Sequence, residues 1–194
     1  MGAAPEGTPW DVYREIHKAM RYALATVTTM AGATEAARPA EVERLVAEWR
    51  DVKLVLLGHH GHEDDFCDHL VQQHAPALRA QLEAAHREAD AAIEALDAQA
   101  EALLTCSDAE RWGAVLAFHL ALADFAAMYA GHLRFEESQV MPALQAAMSY
   151  DELEAVTVQI RMSVPPPEMC IFIKYMVPSM NFAERLDKLG GMHQ

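Results

Sequence analysis

Residues 52–66 read VKLVLLGHHGHEDDF. An apolar run passes directly into three histidines and three acids, with no proline and no strand-forming cluster between them. Read as a helix, Leu45, Val52, Leu56, His59, Glu63, Phe66 and Leu70 fall along one face, because residues three and four apart project side by side. His59 and Glu63 therefore continue an apolar stripe toward the core. Leaving such a group unsatisfied there costs about 1–3 kcal/mol, and more for a charge. The stretch predicts a long helix that carries polar ligands inward.

The same arrangement recurs on three further predicted helices. His17 lies in line with Tyr13, Met20, Leu24 and Thr28. His86 sits with Leu78, Leu82, Ala89 and Ile93, and His132 and Glu136, again four apart, with Phe118, Phe125, Tyr129 and Ala143. One inward histidine is ordinarily a satisfied core residue, and one H-x-x-x-E arises by chance in a chain this rich in glutamate. Four histidines and two carboxylates on the stripe sides of four successive helices need stronger partners. Divalent metal ions satisfy them together, since imidazole suits iron, zinc and copper and a carboxylate can bridge two ions. The count fits two metals, with Glu63 and Glu136 bridging and His17, His59, His86 and His132 as terminal ligands.

Helix boundaries follow from the caps. Thr8-Pro9-Trp10-Asp11 predicts an N-cap, a first turn and a capping-box acid for a helix reaching about Thr29. Pro39 opens a second helix to about Gln73, and Pro76 a third to about Leu104. The Ser107/Glu110 box starts a fourth that lasts to about Ala147, and a Ser149/Glu152 box starts a short fifth. Pro165-Pro166-Pro167 ends that one, and a last piece breaks at Pro178 and stops at Gly190-Gly191. Long helices with short connections predict an all-α, up-down-up-down antiparallel four-helix bundle over about 9–147. Short helices over about 149–189 complete one domain spanning 1–194.

The 194 residues are 52% hydrophobic, 23% charged and 7% aromatic, with a formal charge of −14. That balance suits an ordered helical chain and opposes nucleic acid and anionic membranes, which demand basic patches. The three cysteines show no pairing pattern, which disfavours a disulfide framework. The first residues lack the basic and apolar regions of a signal peptide, and the apolar stretch Met169–Val177 is too short to span a bilayer. A soluble, cytoplasmic protein is expected. Composition leaves its oligomeric state open.

His17, His59-x-x-x-Glu63, His86 and His132-x-x-x-Glu136 together resemble the metal-binding pattern of the hemerythrin-like, or HHE cation-binding, family. The strings His59-His60-Gly61-His62-Glu63-Asp64 and His132-Leu133-Arg134-Phe135-Glu136-Glu137 resemble its two core motifs, as does the following Met141-Pro142. The resemblance covers about residues 9–147. It implies an antiparallel bundle around a non-haem di-iron centre, two irons with an oxo or hydroxo bridge, that meets O2, peroxide or nitric oxide. Oxygen-carrying members have H-x-x-x-H on the third helix, where this chain has Asp90 four after His86. They also end on an aspartate five after the last histidine, where this chain offers Glu136 at four and Glu137 at five. One fewer imidazole makes the site richer in carboxylate, which favours oxidoreductase chemistry on an oxidant over reversible O2 carriage. Non-catalytic binding, storage or sensing of iron or oxygen is the alternative.

His60 with Asp64 forms a competing i, i+4 pair, although His60 turns about 100° away from His59. His62-Glu63 begins an H-E-x-x-H motif that fails at Phe66. His74 reads as a solvent-exposed turn residue, and His69, His119 and His193 as surface residues or outer partners. Tyr13 and Tyr129 read as core or as donors that orient a ligand. Asp90 is open between ligand, partner of His86 and solvated acid. Cys67 reads as packing.

Overall fold

The computed structural model describes residues 9–190, with side chains through residue 186. It is all-helical, and among the described residues there is no strand. The helices are α1 (Arg14–Ala33), α2 (Pro39–Phe66), α3 (Asp68–His74), α4 (Pro76–Thr105), α5 (Asp108–Phe135), α6 (Met141–Ala147), α7 (Tyr150–Ser163), α8 (Pro166–Ser179) and α9 (Phe182–Gly190), with a π-helical turn at Glu136–Val140 between α5 and α6. The pairs α1/α2, α2/α4, α4/α5 and α5/α1 pack together, so the four long helices close a ring, and α8 lies against α1 and α2.

The Ser107/Glu110 and Ser149/Glu152 capping boxes form as expected and start α5 and α7. Helix α1 differs from expectation. Thr8 lies outside the described residues, and the helix begins at Arg14 because the Asp11 carboxylate accepts from the Tyr13 and Arg14 amides, at 3.0 Å each. The preceding segment is docked instead: the Trp10 indole donates to Thr157 Oγ1 at 2.8 Å. The second predicted helix is two, since α2 stops at Phe66 and α3 restarts after Cys67. No proline or glycine marks that break; across it, Arg79 of α4 holds the Asp68 carboxylate. Pro178 sits in the last turn of α8, which ends one residue later.

The π turn changes which residues face inward. In an unbroken α-helix Ala143 would follow Phe125, Tyr129 and Glu136 on the core face. The turn inserts one extra residue, a rotation of about 100°. Leu144 is buried in its place, and Ala143 is only partly covered. The rod from Asp108 to Ala147 is also long and apolar enough to cross a membrane by length and composition, a longer apolar run than the one found in α8. In the fold it forms one wall of the ring.

Two apolar clusters fill the interior. The larger holds Met20, Leu24, Leu45, Trp49, Leu56, Ala89, Ile93, Phe118, Leu122 and Tyr129 among others. The smaller holds Tyr13, Cys67, Leu70, Val71, Leu82, Val140, Met141 and Leu144, closed by Leu153 and Val156 of α7. A polar layer separates them on every long helix: His17 stands between Tyr13 and Met20, His59 and Glu63 between Leu56 and Cys67, His86 between Leu82 and Ala89, and His132 and Glu136 between Tyr129 and Val140.

Candidate metal centre

All six expected ligands converge in that layer. His17 Nε2 lies 3.3 Å from Glu136 Oε2, and His132 Nε2 lies 3.2 Å from Glu136 Oε1. His59 Nε2 is 3.4 Å and His86 Nε2 3.2 Å from Glu63 Oε2, and His86 Nε2 is also 3.5 Å from Glu136 Oε1. His17 and Glu136 have no solvent exposure, and His59, Glu63 and His132 are buried. Ligand atoms of His17, His59 and Glu136 lie within 4.8 Å of one another, as do those of Glu63, His86, His132 and Glu136. Glu136 belongs to both groups and so stands between them.

The layer is unsatisfied from within. Among the described residues, eleven buried side-chain polar atoms lack a hydrogen-bond partner, and nine belong to these six residues, including both oxygens of Glu63 and of Glu136. Most buried polar groups in folded proteins are paired. Orphaned atoms from all six residues, converging at one layer, fit cations bound among them.

Charge is frustrated there in the same way. Burial raises the Glu136 carboxyl well above its ordinary range, and the neighbouring Glu63 charge adds to that. Burial opposes ionisation of Glu63 too, but His59 and His86 beside it outweigh that and keep it charged. Burial lowers His59 well below its ordinary value and drops His132 to about 3, which favours the neutral imidazole that binds a metal. Burial would lower His86 as well, but the carboxylates of Glu136 and Glu63 reverse this and carry it up to about 10.

Around the layer, outer partners hold the ligands. Glu137 does not enter the centre: its Oε1 lies 3.0 Å from His17 Nδ1 and 2.6 Å from Arg21, which clasps both carboxylate oxygens. Burial alone would raise Glu137, yet His17 and Arg21 bring it down to about 2. This carboxylate–imidazole pair points His17 Nε2 inward. Tyr13 stacks on His17 with ring centroids 4.9 Å apart, and its buried hydroxyl is another of the orphans. A shallow cleft of about 170 Å³ between α4 and α5 has His132 on its lining.

His60 departs most from the sequence reading. It does not pair with Asp64, which is exposed. It is 5% exposed, and its Nδ1 meets Asp90 Oδ1 at 2.8 Å and its Nε2 the Tyr129 hydroxyl at 2.9 Å. Asp90 is thus the partner of His60 and not of His86. The signal was present in the doubled histidine at 59–60, but the partner that draws His60 inward lies 30 residues away on another helix. His69 is exposed, as expected, while His74 is partly buried and His119 meets the Thr28 carbonyl oxygen at 3.1 Å. His193 lies outside the described residues.

The model of the hemerythrin HHE cation-binding domain matches residues 8–144. The chain belongs to this family. The matched span of the hemerythrin domain takes in the four ring helices with all six convergent residues, and excludes α7, α8 and α9. No curated protein and no solved structure gives a match. Binding of metal cations is the property the family name carries, and the His/Glu groups of this hemerythrin domain could hold them.

Proposed function

We propose that the protein is a non-haem di-iron protein that reacts with a small oxidant: O2, peroxide or nitric oxide. The observation that carries the reading is the set of orphaned ligand atoms, shared between two groups through one carboxylate. His17 and His59 would hold one ion, His86 and His132 the other, with Glu63 and Glu136 between them. When bound, such a pair of irons supplies one- and two-electron redox chemistry beside positions open to a small molecule. The chain's own part is to orient the imidazoles, Glu137 and Arg21 acting on His17, and to keep bulk water out with the apolar clusters on either side. The cleft at His132 is the approach for a small molecule.

The order of the two clusters along the chain supports an up-down-up-down arrangement: α1 and α4 run from the smaller to the larger, α2 and α5 the reverse. The net charge of −14 supports a partner other than nucleic acid or an anionic membrane, and fits a cytoplasmic protein. Anaerobic titration with Fe(II), followed optically and then by O2, peroxide and nitric oxide, tests the reading. Uptake of about two irons per chain and turnover of one oxidant is the expected result, since the donor set matches a carboxylate-bridged pair. The deep burial of His17 and Glu136 favours a second reading, a non-catalytic iron or oxygen store or sensor. Iron uptake without turnover would select it. A chain that stays metal-free would end both.

A further inference from the structure

His60 is the one buried imidazole at the centre that the six-residue set leaves unused. One ring nitrogen of His60 lies within 4.8 Å of nitrogens of His86 and His132, making a three-histidine group beside the Glu63/His86/His132/Glu136 group. The His60 ring stacks on His86, centroids 4.7 Å apart and planes 19° apart, and stands edge-on to His132 at 5.8 Å. It comes from the same turn of α2 as His59 but reaches the opposite side of the polar layer.

Its hydrogen bonds define which nitrogen is available. Asp90 takes Nδ1 at 2.8 Å, from the surface side of α4, where its side chain is 52% exposed. A carboxylate on one imidazole nitrogen fixes the tautomer and directs the other nitrogen, the arrangement typical of metal-bound histidine. Nε2 faces the buried side and meets Tyr129, whose phenol is a weak competitor for it.

We infer that His60 is a further metal ligand, donating Nε2 to the ion held by His86 and His132, with Asp90 as the carboxylate that orients it. The inference rests on the di-iron reading above. It makes the two ions unequal: three imidazoles, from three different helices, hold one, and only His17 and His59 hold the other. The ion held by His17 and His59, beside the unpartnered Tyr13 hydroxyl, then has the fewer protein donors.

Anaerobic Fe(II) loading of the full chain, read by metal analysis and optical titration, tests this with three variants. His60→Gln should lower the affinity of one of the two ions at least about ten-fold, and Asp90→Asn should weaken the same ion by about 10-fold, the lower end of what loss of an outer partner costs. Tyr129→Phe, which frees Nε2, should keep both ions at wild-type affinity or tighter. His60→Ala supplied with free imidazole should recover the second ion, a result that a misfolded chain cannot give. Wild-type stoichiometry and affinity in His60→Gln, or equal loss in Tyr129→Phe and His60→Gln, would overturn the inference and leave the di-iron reading standing. A wild-type chain that takes up no iron overturns both.

Discussion

The two apolar clusters on either side of the polar layer are unequal partners. Among the described residues the larger gathers 27 buried ones, Ala36 from the connection between α1 and α2 and the rest from α1, α2, α4, α5 and α8, led by Trp49, Phe118, Leu45 and Leu122. Among the described residues the smaller has 11, and of the long helices that reach it α2 is broken at Cys67 and α5 at the π turn, while α4 enters unbroken through Leu82. Burial of apolar area scales with what each side holds. The larger half has the more apolar surface of its own to hold it, and the smaller leans more on what ties it to the layer above. A metal centre held by all four ring helices would be such a tie, and the difference predicts that metal and fold couple chiefly at one end.

The strongest way to break that comparison is to strip the metal. At about a thousand-fold excess over its dissociation constant, a bound ligand adds about 4 kcal/mol. Chelation should then lower the melting temperature by roughly 10 °C for a chain of this size. Hydrogen exchange should speed up in α3, α6 and α7 well before α4 and α5 around Ile93 and Phe118. Equal acceleration everywhere would refute the asymmetry.

Next in size is the shared carboxylate. Glu136→Ala should lose most of at least one metal ion, because Glu136 faces His17, His86 and His132 together. Without metal the same variant should melt no lower than wild type, since it removes a buried carboxyl whose two oxygens have no hydrogen-bond partner. Elemental analysis beside paired apo and loaded melts reads both halves of this expectation.

Leu144→Ala should cost about 3 kcal/mol as a buried leucine truncation. Ala143→Ser should stay within about 0.5 kcal/mol, since its site is only partly covered. Chemical denaturation separates them, and the opposite order would mean that α6 sits one residue out of the register described.

The pH dependence is smaller and has a definite sign. In the metal-free chain His86 is raised to about 10 from an ordinary value near 6.5. A raised group contributes stability that is complete below about 6.5 and fades as pH climbs toward about 10. Metal displaces that proton, so the loaded form does not share the loss. The gap between apo and loaded melting temperatures should widen from pH 6.5 to 9, and loading in weak buffer should release protons. A constant gap would exclude His86 from the centre. Glu137→Gln should also cost little, about 1 kcal/mol after solvent screening of its half-open pairing with Arg21. Because Glu137 is depressed to about 2, that contribution is present above the ordinary carboxylate range and vanishes as pH falls to about 2.

Much of this was legible in the chain. The stripe positions of His17, His59, Glu63, His86, His132 and Glu136 follow from helical periodicity, and all six meet. The caps at Ser107 and Ser149 follow from local chemistry. What periodicity hides is where the period itself changes. The break at Cys67 has no local cause in the sequence, and the π turn moves the buried position from Ala143 to Leu144. Long-range pairing is hidden too: His60 turns inward because Asp90 and Tyr129 receive it, and Glu137 turns outward because Arg21 and His17 hold it.

The π turn also behaves as a phase shifter. Upstream of it, α5 presents Phe125, Tyr129 and His132 to the interior; downstream, Val140, Met141 and Leu144 do so only because one residue has been slipped into the winding. Removing a single residue from 137–140 would leave every metal-facing side chain in place and restore an ordinary α-helix. It would also bring Leu144 to seven residues after Glu136, still on the core face, so the segments on either side of the turn keep their orientation. For this chain the length and the winding of the segment are matched: the wider turn absorbs one extra residue, and everything after it keeps its face.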